Sequence, residues 1–111
     1  MAALNSDLIR RLCEASEGSA ELSRQWWVAM GAVMPAISPC VTTDLSAAWE
    51  EAERRDFDVD VETFRDNDGQ RRRYSLKLWR SGNYYNQPAH VSGTCMPCLI
   101  TAALLAAEGE R

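Results

Sequence analysis

The stretch that decides the fold is FDVDVET, residues 57–63, in which apolar and acidic residues alternate strictly. A period of two is typical of a strand with one buried and one solvated face. The stretch RYSLKLW, residues 73–79, alternates in the same way and follows the turn-forming residues DNDG at 66–69. We therefore predict an antiparallel hairpin over residues 57–80.

Two registers of this hairpin compete. A turn about Asn67 and Asp68 places opposite charges across one face and apolar residues across the other. Its pairs are Glu62–Arg73, Asp58–Lys77, Val61–Tyr74, Val59–Leu76 and Phe57–Leu78. A turn at Asp68–Gly69 would instead set Asp58 against Trp79. Because cross-strand pairs determine register, we expect the first arrangement.

Helical periodicity predicts three helices before the hairpin. The first has a cap among residues 5–7 and ends near residue 15, and the second opens at residue 19 or 20. The third runs over 44–55 with Thr42 or Thr43 as its cap. Between the second and third, residues 34–41 contain two prolines and are predicted to form an extended linker. Trp26 is predicted to lie in the core, whereas Trp27 is predicted to be exposed or at an interface.

The end of the chain adds a third strand and a final helix. Residues 84–92 could return as a strand, but Pro88 would confine it to an edge of the sheet. The last helix is predicted over 95–107, with Thr94 as its cap and Pro97 in its first turn. Since this helix is apolar on nearly every side, we expect it to be buried on more than one face.

Composition limits the protein to a few classes. With 111 residues and 25% charged residues, we expect a single α+β domain over residues 1–111. A net charge of −4 disfavours a nucleic-acid partner, since phosphate contacts need a basic surface. There is no apolar run long enough for a membrane span and no signal-peptide pattern at the N-terminus. We therefore expect a cytoplasmic location with reduced cysteines.

The order of elements, with TTDLSAA at 42–48 and LITAAL at 99–104, resembles the phage ABA sandwich domain family. In these small phage and prophage proteins, a Thr-rich cap precedes a short helix, and an Ala- and Leu-rich helix opened by Thr-Pro closes the chain. The resemblance covers most of residues 4–107, although CMPC at 95–98 departs from the family pattern. It implies an accessory protein of uncharacterised function, with no activity or site residues to transfer.

The resemblance also implies helices on both sides of the sheet, in a three-layer α/β/α sandwich. The strands disagree, because one face of the hairpin carries Asp, Glu, Arg and Lys and is too polar to lie under a helix in a monomer. We therefore expect that this face is either open or covered in part by a second copy of the chain.

Cys95 and Cys98 form a CxxC motif at the start of the last helix. A helix N-terminus favours the reactive thiolate, so one interpretation is a redox dithiol that would make Cys95 and Cys98 catalytic. A second is two zinc ligands completed by His90 and Cys40, which lack the usual spacing. The interpretation we favour is a buried structural pair, with neither thiol exposed or acidic. We accordingly predict no metal and no cofactor.

A cluster of cationic and aromatic residues is the candidate ligand site. Its members are Arg71, Arg73, Trp79, Tyr84 and Tyr85. Guanidinium groups and aromatic faces together could bind a nucleotide or a single-stranded segment. The alternative is that these arginines neutralise the carboxylates of the first strand.

These observations favour a non-enzymatic phage or prophage accessory protein that binds a host or phage protein or associates with itself. One alternative is a protein that binds or sequesters a small ligand or nucleotide. Another is a thiol redox protein that uses the CxxC motif.

Overall fold

The computed structural model describes residues 2–31, 40–65, 72–80 and 89–108. Within them the chain forms an α+β fold, as predicted. The elements in chain order are α1 Ala2–Glu14, α2 Ala20–Ala29, α3 Leu45–Arg54, β1 Phe57–Arg65, β2 Arg72–Arg80, β3 Ala89–Gly93 and α4 Met96–Glu108. The linker predicted over 34–41 and the turn predicted at 66–69 lie wholly or mostly outside the described residues. None of the described helices is both long enough and apolar enough to cross a membrane.

The predicted start of α2 is confirmed, whereas the predicted start of α1 is wrong. Ser19 caps α2 as predicted, because its side chain accepts a 3.0 Å hydrogen bond from the Leu22 N–H. Helix α1 begins earlier than predicted, at Ala2. Asp7 therefore lies inside the helix, where its carboxylate pairs with Arg10 at 2.6 Å and Arg11 at 3.2 Å.

The predicted caps of α3 and α4 are each wrong by one or two residues. Asp44, rather than Thr42 or Thr43, caps α3, and its carboxylate accepts from the N–H groups of Ser46 and Ala47. Helix α4 begins at Met96, which places Cys95 rather than Thr94 immediately before it. Thr42 is instead fully buried.

The three strands form an antiparallel sheet in the order β1-β2-β3. The predicted register is wrong, because Asp58 pairs with Trp79, Asp60 with Lys77 and Val61 with Leu76. This is the arrangement expected for a turn at Asp68–Gly69. The two registers differ by two residues, so each side chain keeps its face and the alternation could not separate them.

One face of the sheet is buried and the other is not. The register places all the buried residues of the described strands on a single face: Phe57, Leu76, Leu78, Ala89 and Gly93. Helix α4 contacts β2 and β3, and α3 contacts β1. The described helices therefore cover one face, giving two layers rather than the three of an α/β/α sandwich. The polar face of the strands correctly predicted that these helices leave one side of the sheet uncovered, whereas the resemblance implied a helix layer there.

Helix α4 is the centre of the core. Every residue from Cys98 to Leu105 is buried, and the helix contacts each of the other three described helices as well as the sheet. Burial on more than one side is thus confirmed. The prediction for Trp27 is wrong: its side chain is 5% exposed and packs edge-on against Trp26, with ring centroids 4.8 Å apart. Helix α2 contacts both α1 and α4, so two of its faces are covered.

Candidate functional site

The two cysteines of the CxxC motif occupy the first turn of α4. The Cys95 carbonyl accepts a 2.9 Å hydrogen bond from the Leu99 N–H, which makes Cys95 the N-cap residue. Cys98 is three residues further and therefore lies on the same side of the helix. Cys95 is 9% exposed, whereas Cys98 is 0% exposed. Both are free thiols in the structure.

A buried backbone carbonyl approaches both thiols. The Thr42 oxygen lies 3.6 Å from Cys98 Sγ and 3.9 Å from Cys95 Sγ. Neutral thiols are weak donors, so these contacts hold the sulfur atoms in place without binding them strongly. The loop before α3 thus forms one wall of the thiol site.

The backbone of Ser19 and the hydroxyl group of Ser23, at the start of α2, fix Thr42 in this position. The Thr42 hydroxyl donates to the Ser19 carbonyl at 2.8 Å and accepts from the Ser19 N–H at 3.0 Å. The Thr42 N–H donates to Ser23 Oγ at 3.1 Å, and the two side-chain oxygens are 2.7 Å apart. Since the Thr42 hydroxyl proton is used on Ser19, Ser23 is the donor in that last contact. Three segments distant in sequence therefore meet at the CxxC motif.

The surroundings of Cys95 favour its thiolate. A hydrogen bond from the Cys98 thiol is the largest cause, and with the backbone N–H groups of Cys98 and Gly18 it lowers the pKa of Cys95 to about 6. Burial and the negative charge of Glu17 act in the opposite direction. This result runs against our expectation of an ordinary thiol.

Cys98 behaves in the opposite way. Its pKa is raised, first because its thiol donates to Cys95, then because it is buried and next to the Cys95 charge. The single Cys98 proton has two acceptors, the Thr42 carbonyl and Cys95 Sγ. When Cys95 is ionised, the charge-assisted bond is the stronger of the two. The pair therefore shares one negative charge, held at Cys95.

A surface cavity opens onto Cys95. Its volume is about 350 Å³, and it is lined by Ser16, Glu17, Gly18, Thr42, Thr43, Cys95 and Pro97. Cys98 does not line it. Cys95 is therefore the thiol that a small molecule can reach, and Cys98 lies behind it.

Sequence reasoning missed the two residues that complete this site. Gly18 contributes a backbone N–H to Cys95, and Thr42 contributes a carbonyl. The available signal was the short interhelical segment 15–19, because a glycine there allows close approach. A Cβ at Gly18 would lie 1.8 Å from the Thr42 oxygen. No pattern in the sequence indicated that Thr42 would be buried beside α4.

The other predicted ligands of a zinc site are not gathered here. His90 lies exposed on β3, within 2.7 Å of Ser75 Oγ, and Cys40 is exposed before α3. In the described ranges, no three His, Cys, Asp or Glu side chains come close enough together to hold a metal ion. Cys13 lies at the end of α1, where burial raises the pKa of its thiol.

The predicted ligand cluster is only partly described. Arg73 and Trp79 lie on the same face of β2, as predicted, but six positions apart. At about 3.3 Å per residue their backbones are separated by about 20 Å. Arg71, Tyr84 and Tyr85 lie outside the described residues.

Arg73 and Trp79 belong to a larger surface that we call the open face, the side of the sheet that the described helices leave uncovered. It consists of Asp58, Asp60, Glu62 and Phe64 on β1, Arg73, Ser75, Lys77 and Trp79 on β2, and His90 and Ser92 on β3. Three carboxylates on β1 therefore run beside two cations, Arg73 and Lys77, on β2. Phe64 is 45% exposed at one end of the acidic row.

A second cavity lies between α1 and α2. Its volume is about 360 Å³, and most of its surface is contributed by apolar atoms. The residues that line it are Asp7, Leu8, Arg11, Arg24, Gln25, Val28 and Ala29. Val28 is 66% exposed at its rim. The cavity is shallow, and two of its charged side chains, Asp7 and Arg11, already pair with each other at 3.2 Å.

The chain was compared with known protein families, with curated proteins and with solved structures, and it matches none of them.

Proposed function

We propose that this chain is a non-catalytic accessory protein of phage or prophage type that acts in the cytoplasm of a bacterial host by binding protein through its open face. The observation that carries the proposal is that this face presents opposite charges, the exposed ring of Phe64 and the half-buried ring of Trp79 on the side away from the described helices. The phage origin is supported by the resemblance of residues 4–107 to the ABA sandwich proteins.

The occupant we propose for the open face is a second copy of the chain. With a twofold axis parallel to the strands and between β1 and β2, the acidic row of one copy lies over the basic row of the other. Asp60 then faces Lys77 of the second copy, while Phe64 packs on its Arg73 and Trp79 packs beside its Asp58. Such a surface is self-complementary, which a twofold interface requires.

Pairing through the edge of the sheet is less favourable. Strand β1 is an edge strand nine residues long, so its outer side could in principle add a strand from another chain. In a β1–β1 pairing, however, Asp58, Asp60 and Glu62 would meet the same carboxylates of the second copy. Like charges placed opposite each other destabilise a strand pair, so the face is favoured over the edge.

The size of the open face limits the affinity. At about 4.8 Å spacing, β1 and β2 with about 30 Å length each and β3 with about 17 Å present about 370 Å² per copy. Stable interfaces bury about 800 Å² per partner, so the dimer is expected to be weak and to depend on concentration. Because exposed ion pairs contribute about 1 kcal/mol or less, the aromatic side chains supply most of the binding energy.

Sedimentation equilibrium tests the proposal. We expect the wild-type chain to dimerise at high concentration, with less dimer at high salt. Phe64→Ser should weaken the dimer, whereas Val28→Ser, which removes an even more exposed apolar side chain from α2, should not. A mixture of Asp60→Lys and Lys77→Glu chains should form a heterodimer more readily than either chain alone. A monomer at all concentrations would overturn self-association; capture of a host protein that Phe64→Ser abolishes would then identify a different occupant of the same face.

The small-ligand alternative has less support. The backbones of Arg73 and Trp79 are about 20 Å apart along β2, so the two side chains do not form one compact pocket for a mononucleotide. Thermal denaturation with a panel of nucleotides tests the alternative, since binding to the folded state must raise the melting temperature.

A further inference from the structure

We propose that Cys95 and Cys98 form a dithiol site that reacts with low-molecular-weight disulfides, with Cys95 as the attacking thiol and Cys98 as the resolving thiol. The proposal rests on the geometry of α4 and its neighbours and is independent of binding at the open face.

The two cysteines differ in access, as an attacking and a resolving thiol must. Cys95 lines the cavity of about 350 Å³, which has room for a small disulfide. Cys98 has no exposed surface and does not line the cavity. A buried structural pair would not need an opening onto one of its members.

The N–H groups around Cys95 are arranged for a negative sulfur. The Cys98 N–H comes from the first turn of α4, and the Gly18 N–H comes from the segment before α2. The Cys98 thiol supplies a third donor. Donors from three directions favour the thiolate, which is the nucleophile in exchange.

The exchange balances without a further reactant. The Cys95 thiolate attacks one sulfur of a disulfide RSSR, so that a Cys95–SR mixed disulfide forms and RS⁻ leaves. Cys98 passes its proton to a thiolate product and attacks Cys95 Sγ, which forms the Cys95–Cys98 bond and expels the second RS⁻. The protein dithiol is oxidised by two electrons, RSSR is reduced to two RSH, and both cysteine protons end on the products.

Oxidised glutathione is the probe, and the Cys40→Ser chain is the background because Cys40 is exposed. In this background, the chain should lose two hydrogens in mass and yield a peptide with Cys95 joined to Cys98. Adding Cys98→Ser should instead trap one glutathione on Cys95, and adding Cys95→Ser should abolish both products. Circular dichroism melts establish that each variant is folded. A folded chain whose Cys95 gains neither product would overturn the proposal.

The pH dependence of alkylation distinguishes a reactive site from a merely accessible thiol. With iodoacetamide and peptide mass analysis, the Cys95 rate should be half-maximal near pH 6 in the folded chain. In the urea-unfolded chain it should be half-maximal near pH 8.5, the ordinary value for cysteine. Cys98→Ala should move the folded midpoint upward by removing a donor, while Cys98→Ser, whose hydroxyl can still donate, should move it less. Equal midpoints in the folded and unfolded chains would contradict the proposed site.

Discussion

The indole N–H of Trp26 donates a 2.8 Å hydrogen bond to the backbone carbonyl of Thr101, joining α2 to the middle of α4. Both residues have no exposed surface. The Thr101 hydroxyl is directed into its own helix, where it donates to the Cys98 carbonyl at 2.8 Å. On its other side, the Trp26 ring lies 5.7 Å from the guanidinium carbon of Arg55. The hydrogen bond between Trp26 and Thr101 therefore fixes the position of α2 against α4, the helix that carries the thiol pair.

Replacing Trp26 with phenylalanine should destabilise the protein by about 2–4 kcal/mol. The change removes a buried hydrogen bond and leaves a small cavity, and each effect typically costs about 1–2 kcal/mol. Urea denaturation measures the loss. Trp49→Phe is the matched control, because Trp49 is only half-buried on α3, and it should cost less than about 1 kcal/mol. Equal losses for the two variants would contradict the role given to the Thr101 contact.

Gly18→Ala should be far more damaging than Gly31→Ala. A Cβ at position 18 would lie 1.8 Å from the Thr42 oxygen and 2.2 Å from its carbonyl carbon, so the backbone of one segment must move. We expect a loss of about 3 kcal/mol or more, together with a higher pKa for Cys95 as the Gly18 N–H moves away. Gly31 has a φ of +73° but nothing within 4 Å of the added carbon.

The Gly31 variant should therefore lose only about 1 kcal/mol, from backbone strain alone. Thermal melts of both variants, with alkylation of Cys95 at several pH values, provide the comparison. If Gly18→Ala were as stable as the wild type, the close approach of the two segments would be wrong.

The thiol pair should make the free energy of unfolding increase with pH between about pH 6 and 8.5. Because the pKa of Cys95 is lowered to about 6 in the folded state, its contribution is lost as the pH falls through 6 and is complete above the unfolded value of about 8.5. Stability should rise over this window by at most about 1.4 kcal/mol per pH unit. Above about pH 9 the raised pKa of Cys98 acts oppositely, since that thiol ionises more readily in the unfolded chain.

Cys95→Ser should remove the rise between pH 6 and 8.5. Urea denaturation at a series of pH values, under reducing conditions, measures the difference between the variant and the wild type. Cys40→Ser is the control, because that residue is exposed and does not line the cavity at Cys95, and it should preserve the pH profile. Parallel curves for the wild type and Cys95→Ser would show that the Cys95 thiolate is not stabilised by folding.

Much of the fold followed from local patterns. Strict alternation located β1 and β2, and the polar strand face correctly argued for a side of the sheet that the described helices leave uncovered. The nearly uniform apolar character of α4 predicted its central place. These features depend on each element's own period, which a single sequence contains.

The thiol site depends on contacts that local patterns do not record. Nothing near Thr42 shows that its carbonyl will lie beside residues 53 and 56 positions later. The same limit applies to Trp27, because the burial of a second helix face depends on which helices pack against α2. Sequence reasoning could identify the CxxC motif and its helix terminus, but not the N–H of Gly18 that helps to make one thiol acidic.

The hairpin register admits a direct test, because the predicted and observed arrangements place different residues opposite Lys77. Asp60 is directly opposite in the structure, whereas Asp58 is opposite Trp79 and therefore diagonal to Lys77. Opposite Cβ atoms lie about 4.5–5.5 Å apart and diagonal ones about 7–8 Å apart, and a disulfide requires about 4 Å. In the Cys40→Ser background, Asp60→Cys with Lys77→Cys should thus oxidise to a cross-strand disulfide, detected as a linked peptide pair. Asp58→Cys with Lys77→Cys should remain reduced under the same conditions, since closing that pair would shift the register by two residues and separate Val61 from Leu76. A disulfide in the second variant and none in the first would restore the register with a turn about Asn67 and Asp68.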